Sequence, residues 1–169
     1  SHGGHIAGRP LGTFGTFASW SFCQDKIMTT GGEGGMLCTP DADLHRRCWS
    51  YAQHGKDHDE SLAPTTAGGA PGGFRWLVRH EGTNLRMTEM QAAIGICQLQ
   101  KLPTWVAARR RNSLIMQESL RRVEGLRVPQ TPEGHAHYRC VAFTDGDDAA
   151  GRRDRCLTML QAAGIPAMH

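Results

Sequence analysis

Apolar positions along the chain change their period repeatedly, and each change marks an element. Phe17-Ala18-Ser19-Trp20-Ser21-Phe22 alternates and carries aromatics, which predicts a strand. After the glycine run Gly31-Gly32-Glu33-Gly34-Gly35, Met36-Leu37-Cys38-Thr39 predicts a short second strand. A lysine lies between them, so the pair forms a platform from which a side chain can be aimed. Thr39 as N-cap, Pro40 at the first helical position, and Asp41 and Asp43 near the positive end of the dipole predict a helix start. Leu44, Cys48 and Tyr51 continue it at helical spacing, and Gly55 is its expected stop.

From Lys56 to Arg75 the periodicity disappears in favour of polar residues, Gly, Pro and Thr, which reads as one long loop, functional or mobile. Thr88-Glu89-Met90-Gln91 then has the form of a capping box. Met90, Ala93, Ile94 and Cys97 line one face of the following helix, and Pro103 is expected to end it. A second helix is predicted from about Thr104, with Trp105, Ala108, Ile115, Leu120 and Val123 inward and Arg109-Arg110-Arg111 outward. Leu126 to Pro132 reads as a connector, Tyr138 to Phe143 as a strand, and Arg152 to Ala163 as a last helix closed by Gly164 and Pro166. The order is that of an α/β protein, but with too few strands for a complete sheet, and both ends look cut.

Composition narrows this picture. At 169 residues, 39% hydrophobic and 21% charged, the chain is long enough for one ordinary core, and it has no apolar run long enough to span a bilayer. The N-terminus lacks the apolar core of a signal peptide, so a cytoplasmic location is the expectation. Six cysteines without ligand spacing read as reduced thiols, and His135-x-His137, with no third ligand nearby, fits a strand entrance better than a metal site. The net charge of +3 comes almost wholly from arginines on helical outer faces, without interleaved aromatics, so neither nucleic acid nor membrane is expected as a partner.

Among the three lysines, Lys26 has the setting that Schiff-base chemistry needs. Such a lysine must be neutral part of the time and held rigidly. Lys56 lies in the polar loop, and Lys101 ends a helix where a lysine ordinarily complements the dipole. The run Gly31 to Gly35 has backbone N–H groups suited to phosphate, although glycine runs more often only make turns, and it lacks the order of a P-loop.

The motifs taken together are more specific. Ser21-Phe22-Cys23-Gln24-Asp25-Lys26, followed by Thr29-Thr30-Gly31-Gly32-Glu33-Gly34-Gly35, resembles the cofactor-lysine segment of the DegT/DnrJ/EryC1/StrS aminotransferases. His54-Gly55, Gly82-Thr83-Asn84-Leu85-Arg86-Met87 and the upstream Gly8-Arg9-Pro10-Leu11-Gly12-Thr13-Phe14-Gly15 resemble further family segments in the same order. Cys23 stands where many members have His, and Leu85 replaces the usual aromatic.

The resemblance implies the type I fold of enzymes that use pyridoxal 5'-phosphate (PLP), here incomplete. Residues 1–87 would be the C-terminal part of the large domain and 88–169 the start of a small, truncated C-terminal domain. It implies transfer of an amino group, commonly from glutamate, to a nucleotide-linked keto sugar, in amino-sugar, polysaccharide or antibiotic-sugar biosynthesis, by a homodimer with shared sites. Lys26 would form the internal aldimine and, once released, act as the base of the proton shift. Ser21 would hold the cofactor phosphate, Asn84 would reach it from the partner subunit, and His54, His58 and Arg86 would contact the sugar nucleotide. The acidic partner of the pyridinium nitrogen would fall just before Ser1 and the stacking aromatic further upstream. The isolated chain is therefore expected to be inactive and poorly soluble. Two alternatives stand beside this reading. One is a PLP-dependent sugar dehydratase, whose members replace the lysine with histidine. The other is a non-catalytic assembly module of the same fold.

Overall fold

The computed structural model of the chain describes residues 2–63 and 78–169. Its first elements are β1 (His5–Ile6), β2 (Arg9–Pro10), β3 (Ala18–Ser21), β4 (Gly35–Cys38), α1 (Ala42–Ala52) and α2 (His58–Leu62). There follow α3 (Glu89–Leu120), β5 (Leu126–Arg127), β6 (Phe143–Thr144) and α4 (Ala149–Ala162). They form two compact units, Pro10–Lys101 and Ser1–Arg9 with Leu102–His169. The units divide within α3, between Lys101 and Leu102.

In the unit Pro10–Lys101, β3 and β4 form an antiparallel hairpin in which Ala18 faces Cys38 and Ser21 faces Gly35. The predicted first strand is trimmed at both ends. Phe22 leaves the ladder after one further bond, from its N–H to the Gly34 carbonyl at 2.8 Å, and becomes an anchor for the turn that follows. Helix α1 starts two residues later than Thr39 predicts. Asp41 is its N-cap, and one carboxylate oxygen accepts from the N–H groups of Asp43 at 2.9 Å and Leu44 at 3.0 Å. A carboxylate satisfying two orphan donors outcompetes the Thr39 hydroxyl, which accepts instead from Asp41 N–H.

The helix stops where expected. His54 and Gly55 both adopt left-handed backbone, with φ of 61° and 75°. At Gly55 a Cβ would also fall 1.7 Å from the His80 carbonyl oxygen, so that position needs glycine on two counts. Part of the expected Lys56–Arg75 loop is in fact α2, capped by the Asp57 side chain on Glu60 N–H; positions 64–75 of that loop lie outside the described residues.

The capping box before α3 forms as its sequence predicts. Thr88 N–H donates to Gln91 Oε1 at 3.0 Å, and Gln91 N–H donates to Thr88 Oγ1 at 3.3 Å. Two expectations for this segment fail. Pro103 does not end the helix, which runs 32 residues through it. A proline inside a helix costs about 3 kcal/mol locally, and the helix nevertheless continues through Thr104, Trp105 and Val106 into the better formers Ala107 to Arg111. Nor is the apolar stripe the buried one: Met90 is 77% exposed and Ile94 and Cys97 are exposed, as are Ile115 and the Val123 that follows the helix. The buried positions are Gly95, Ser113 and Gln117. At Gly95 a Cβ would sit 3.0 Å from the Thr30 methyl, so close backbone approach rather than a greasy seam packs this turn of the helix. No helix among the described residues is long and apolar enough to cross a membrane.

In the other unit, β5 and β6 pair antiparallel over two residues each, and the Arg127 guanidinium lies 4.7 Å above the Phe143 ring. The strand expected over Tyr138–Phe143 is reduced to Phe143–Thr144. Its lead-in is blocked by His137, which adopts left-handed backbone with φ 49°. That imidazole is buried, packs edge-on against His135 at 4.7 Å, and leaves Nδ1 without a hydrogen-bond partner. α4 begins at Ala149, earlier than expected, and ends before Gly164, whose N–H bonds the Gln161 carbonyl.

Burial holds the His137 imidazole below the usual histidine range, with His135 and Arg110 adding to the effect. A depressed folded-state value means that the unfolded chain binds the proton more readily. This contribution to stability is complete above about pH 6.5 and is lost as pH falls from there toward the folded-state value. His137→Asn keeps a residue that tolerates positive φ and removes the titration. Urea midpoints of the full-length protein should therefore fall less for this variant than for wild type between pH 7 and pH 5.

Candidate functional site

The site starts from the Phe22 carbonyl, which accepts from Thr29 Oγ1 at 2.8 Å and Thr30 N–H at 3.2 Å and so closes the segment between them into a turn. Phe22, Ile27, Met28 and Thr30 are buried, which gives the turn a small core of its own. Thr29 Oγ1 also accepts from Gly32 N–H, and Thr30 Oγ1 donates to the Glu33 carbonyl, so the glycine run is tied to the same turn. Helix α3 fastens it from outside. Gln98 Oε1 accepts from Thr29 N–H at 2.7 Å, and Gln91 Nε2 donates to the Glu33 carbonyl at 3.0 Å.

Lys26 rides on this turn with its side chain 27% exposed. Its Nζ lies 2.9 Å from Asp25 Oδ1, and the same oxygen takes the Cys23 thiol at 2.8 Å. Ser21 ends β3, and its Oγ accepts from Cys23 N–H at 3.4 Å, which leaves the hydroxyl hydrogen able to donate elsewhere. Ser21 and Lys26 are thus linked through Cys23 and Asp25. Sequence reasoning assigned no role to either linker. The available signal was the position of Asp25 directly beside the lysine.

Asn84, Arg86 and His54 form a second cluster. Asn84 pairs with Gln53 in an isolated antiparallel bridge, and His54 N–H donates to the Thr83 carbonyl at 3.1 Å. Asn84 Oδ1 accepts from Arg86 Nε at 3.0 Å and from Arg86 N–H, while Arg86 Nη1 reaches Gln53 Oε1 at 3.5 Å. Gly82 permits the close approach, since a Cβ there would meet Gly55 N at 2.2 Å.

His58 stands apart from both clusters. Its Nδ1 lies 2.7 Å from Asp59 Oδ1, and its ring meets His45 and Trp49 edge-on at 5.5 and 5.1 Å. The hydrogen bond with His58 and the nearby Arg46 hold the Asp59 carboxyl below its usual range. A groove of about 1600 Å³, walled by Trp20, Met36, Trp49 and Met87, has His58 and Arg86 in its lining. Lys26, Ser21, Asn84 and His54 are not among its lining residues. The structure thus places the six residues in three groups: Ser21 and Lys26 on the lysine turn, Asn84, Arg86 and His54 around Gln53, and His58 beside Asp59.

The Lys26 amine thus sits on the turn that leads from Ser21, at the end of β3, to the glycine run at the start of β4. Residues 1–169 match the model of the DegT/DnrJ/EryC1/StrS aminotransferase family, and the chain belongs to that family. It is 35% identical over 138 residues to dTDP-4-dehydro-2,3,6-trideoxy-D-glucose 4-aminotransferase of Saccharopolyspora spinosa, a match covering 79% of this chain and 34% of that one. An aminotransferase from Psychrobacter cryohalolentis superposes with a TM-score of 0.86 at 39% identity, over 98% of this chain and 44% of that one. Escherichia coli GDP-4-keto-6-deoxy-D-mannose-3-dehydratase, solved with bound hydrated PLP, does so with a TM-score of 0.81 at 26% identity, over 97% and 42%. The chain thus spans less than half the length of these relatives. They have the type I fold of PLP-dependent enzymes, and the family is PLP-dependent.

The residues present fit that cofactor by their donor chemistry: a primary amine for an aldehyde, with a serine hydroxyl and glycine N–H groups for a phosphate. The tightness of the glycine run is itself testable. A Cβ at Gly34 would fall 2.1 Å from Thr30 Oγ1. Gly34→Ala should lower the stability of the full-length protein by about 1–3 kcal/mol in chemical denaturation. Combined with Thr30→Ala it should cost less than the sum of the two single changes, because the second removes the clashing atom.

Proposed function

We propose that Lys26 is the residue to which pyridoxal phosphate attaches, in an aminotransferase that acts on nucleotide-linked keto sugars. The observation that carries this reading is the Lys26 amine on a turn fixed by Phe22, Thr29 and Thr30. Two relatives named as aminotransferases of nucleotide-linked sugars, one dTDP-linked and one UDP-linked, support the substrate class. When bound, the cofactor supplies an aldehyde for an amine and a conjugated ring that withdraws electrons from the carbon under attack. Lys26 Nζ would hold it covalently and, when free, would serve as the base that moves a proton during transfer from an amino donor such as glutamate. Ser21 donates to the phosphate. Asn84 reaches the phosphate across the interface of a homodimer, and His54, His58 and Arg86 contact the sugar nucleotide. A cytoplasmic location goes with such biosynthetic substrates.

Sugar dehydratases of the same family are the competing reading, since one is among the solved relatives. Lys26 favours amino transfer, because the family resemblance implies a histidine at this place in the dehydratases and a histidine cannot form the same covalent link.

Purified full-length protein should show a pyridoxal absorption band that Lys26→Ala abolishes; a band unchanged by that substitution would overturn the assignment. Ser21→Ala should keep the band but raise the dissociation constant for pyridoxal phosphate about tenfold, the loss expected for one charge-assisted hydrogen bond.

A further inference from the structure

The turn that carries Lys26 also holds a carboxylate that the chemistry above leaves unused. Two donors converge on one oxygen of it, Lys26 Nζ at 2.9 Å and Cys23 Sγ at 2.8 Å. They come from residues on either side of Asp25 in the chain, and the Lys26 N–H to Cys23 carbonyl bond at 3.1 Å keeps the turn between them closed. The carboxylate is 47% exposed, too open for the pair to stabilise the fold much. Its effect falls on the amine itself. An ammonium paired to a carboxylate keeps its proton more firmly, and only the neutral amine adds to a carbonyl carbon. Among the described residues, Gln98 and Gln91 of α3 bond the loop, and both are uncharged.

We propose that Asp25 is a positioning residue that parks the amine of Lys26 as an ammonium at a fixed place whenever it is not covalently engaged, with the Cys23 thiol orienting the carboxylate. The proposal rests on the assignment of Lys26 as the cofactor lysine. To leave this resting state, Nζ gives one proton to water and then attacks the carbonyl carbon, whose oxygen departs as water. Asp25 thereby sets how much of the free amine is ready to react and where it waits. The adjoining backbone bonds of the turn do not depend on that charge.

Competitive labelling with acetic anhydride reads the neutral fraction of a lysine directly. Full-length protein stripped of cofactor is labelled at pH 8, and acetylation at Lys26 is compared with that at Lys101 by peptide mass spectrometry. Asp25→Asn, close in shape but uncharged, should raise the Lys26 rate roughly two- to fivefold relative to Lys101, the range set by an exposed ion pair. Asp25→Ser should do the same, and Asp25→Glu should return the rate toward wild type. Equal or slower labelling of Lys26 in both uncharged variants overturns the proposal. Uptake of pyridoxal phosphate by the same preparations is read separately by absorbance. Failure of wild type to take it up would overturn the cofactor assignment and leave the labelling comparison intact.

Discussion

One carbonyl group organises the candidate site. The oxygen of Phe22 takes a side-chain and a backbone hydrogen bond from Thr29 and Thr30, seven and eight residues on, and everything between them is held as a closed turn. Because Phe22 also extends the β3–β4 ladder through its N–H, the turn is continuous with the hairpin rather than hung from it. The two glutamines of α3 then fix the far side. Several neutral hydrogen bonds of ordinary strength, each worth about 1 kcal/mol net, are enough to hold such a turn because its apolar residues are buried beneath it. Deleting the Thr29 hydroxyl would affect the hairpin end, the glycine run and the lysine together, since that one group bridges Phe22 and Gly32.

What the sequence revealed follows the range of the interactions involved. The capping box at Thr88 and Gln91 and the helix stop at Gly55 were legible because their partners lie within a few residues. The start of α1 was misplaced by two residues because Thr39, Asp41 and Asp43 all have cap chemistry, and only geometry decides that the Asp41 carboxylate meets two N–H groups. Pro103 misled for a different reason. Its local cost is real, but the helix runs on through it for seventeen further residues. The exposed stripe of Met90, Ile94 and Cys97 shows the same limit, since periodicity identifies an apolar face without saying what covers it.

The candidate site divides in the same way. Ser21, Lys26 and the glycines sit on one contiguous stretch, so their assembly was visible as a motif. Asn84, Arg86 and His54 meet through pairing between segments some thirty residues apart, near Gln53, and only the family resemblance pointed to them. No periodicity reports that Gly82 must lie against Gly55 for the two segments to touch. The convergence of Cys23 and Lys26 on a single oxygen of Asp25 was equally hidden. It depends on where a turn aims its side chains, although all three residues were in plain sight.

These two layers of interaction separate the demands made on Lys26. A cofactor lysine has to be rigidly aimed, yet its charge has to change during each turnover. Were the ion pair with Asp25 its main support, loss of the proton would also release it from its place. The backbone bonds around Phe22 avoid this conflict because none of their donors or acceptors titrates. The turn can therefore keep its shape while the amine passes between ammonium, neutral and covalently bound forms. Asp25 is left with the charge-dependent part alone, at an exposure that keeps the pair weak enough to break. A fully buried carboxylate in its place would hold the ammonium too firmly to release the proton, and an apolar residue would remove this ion pair.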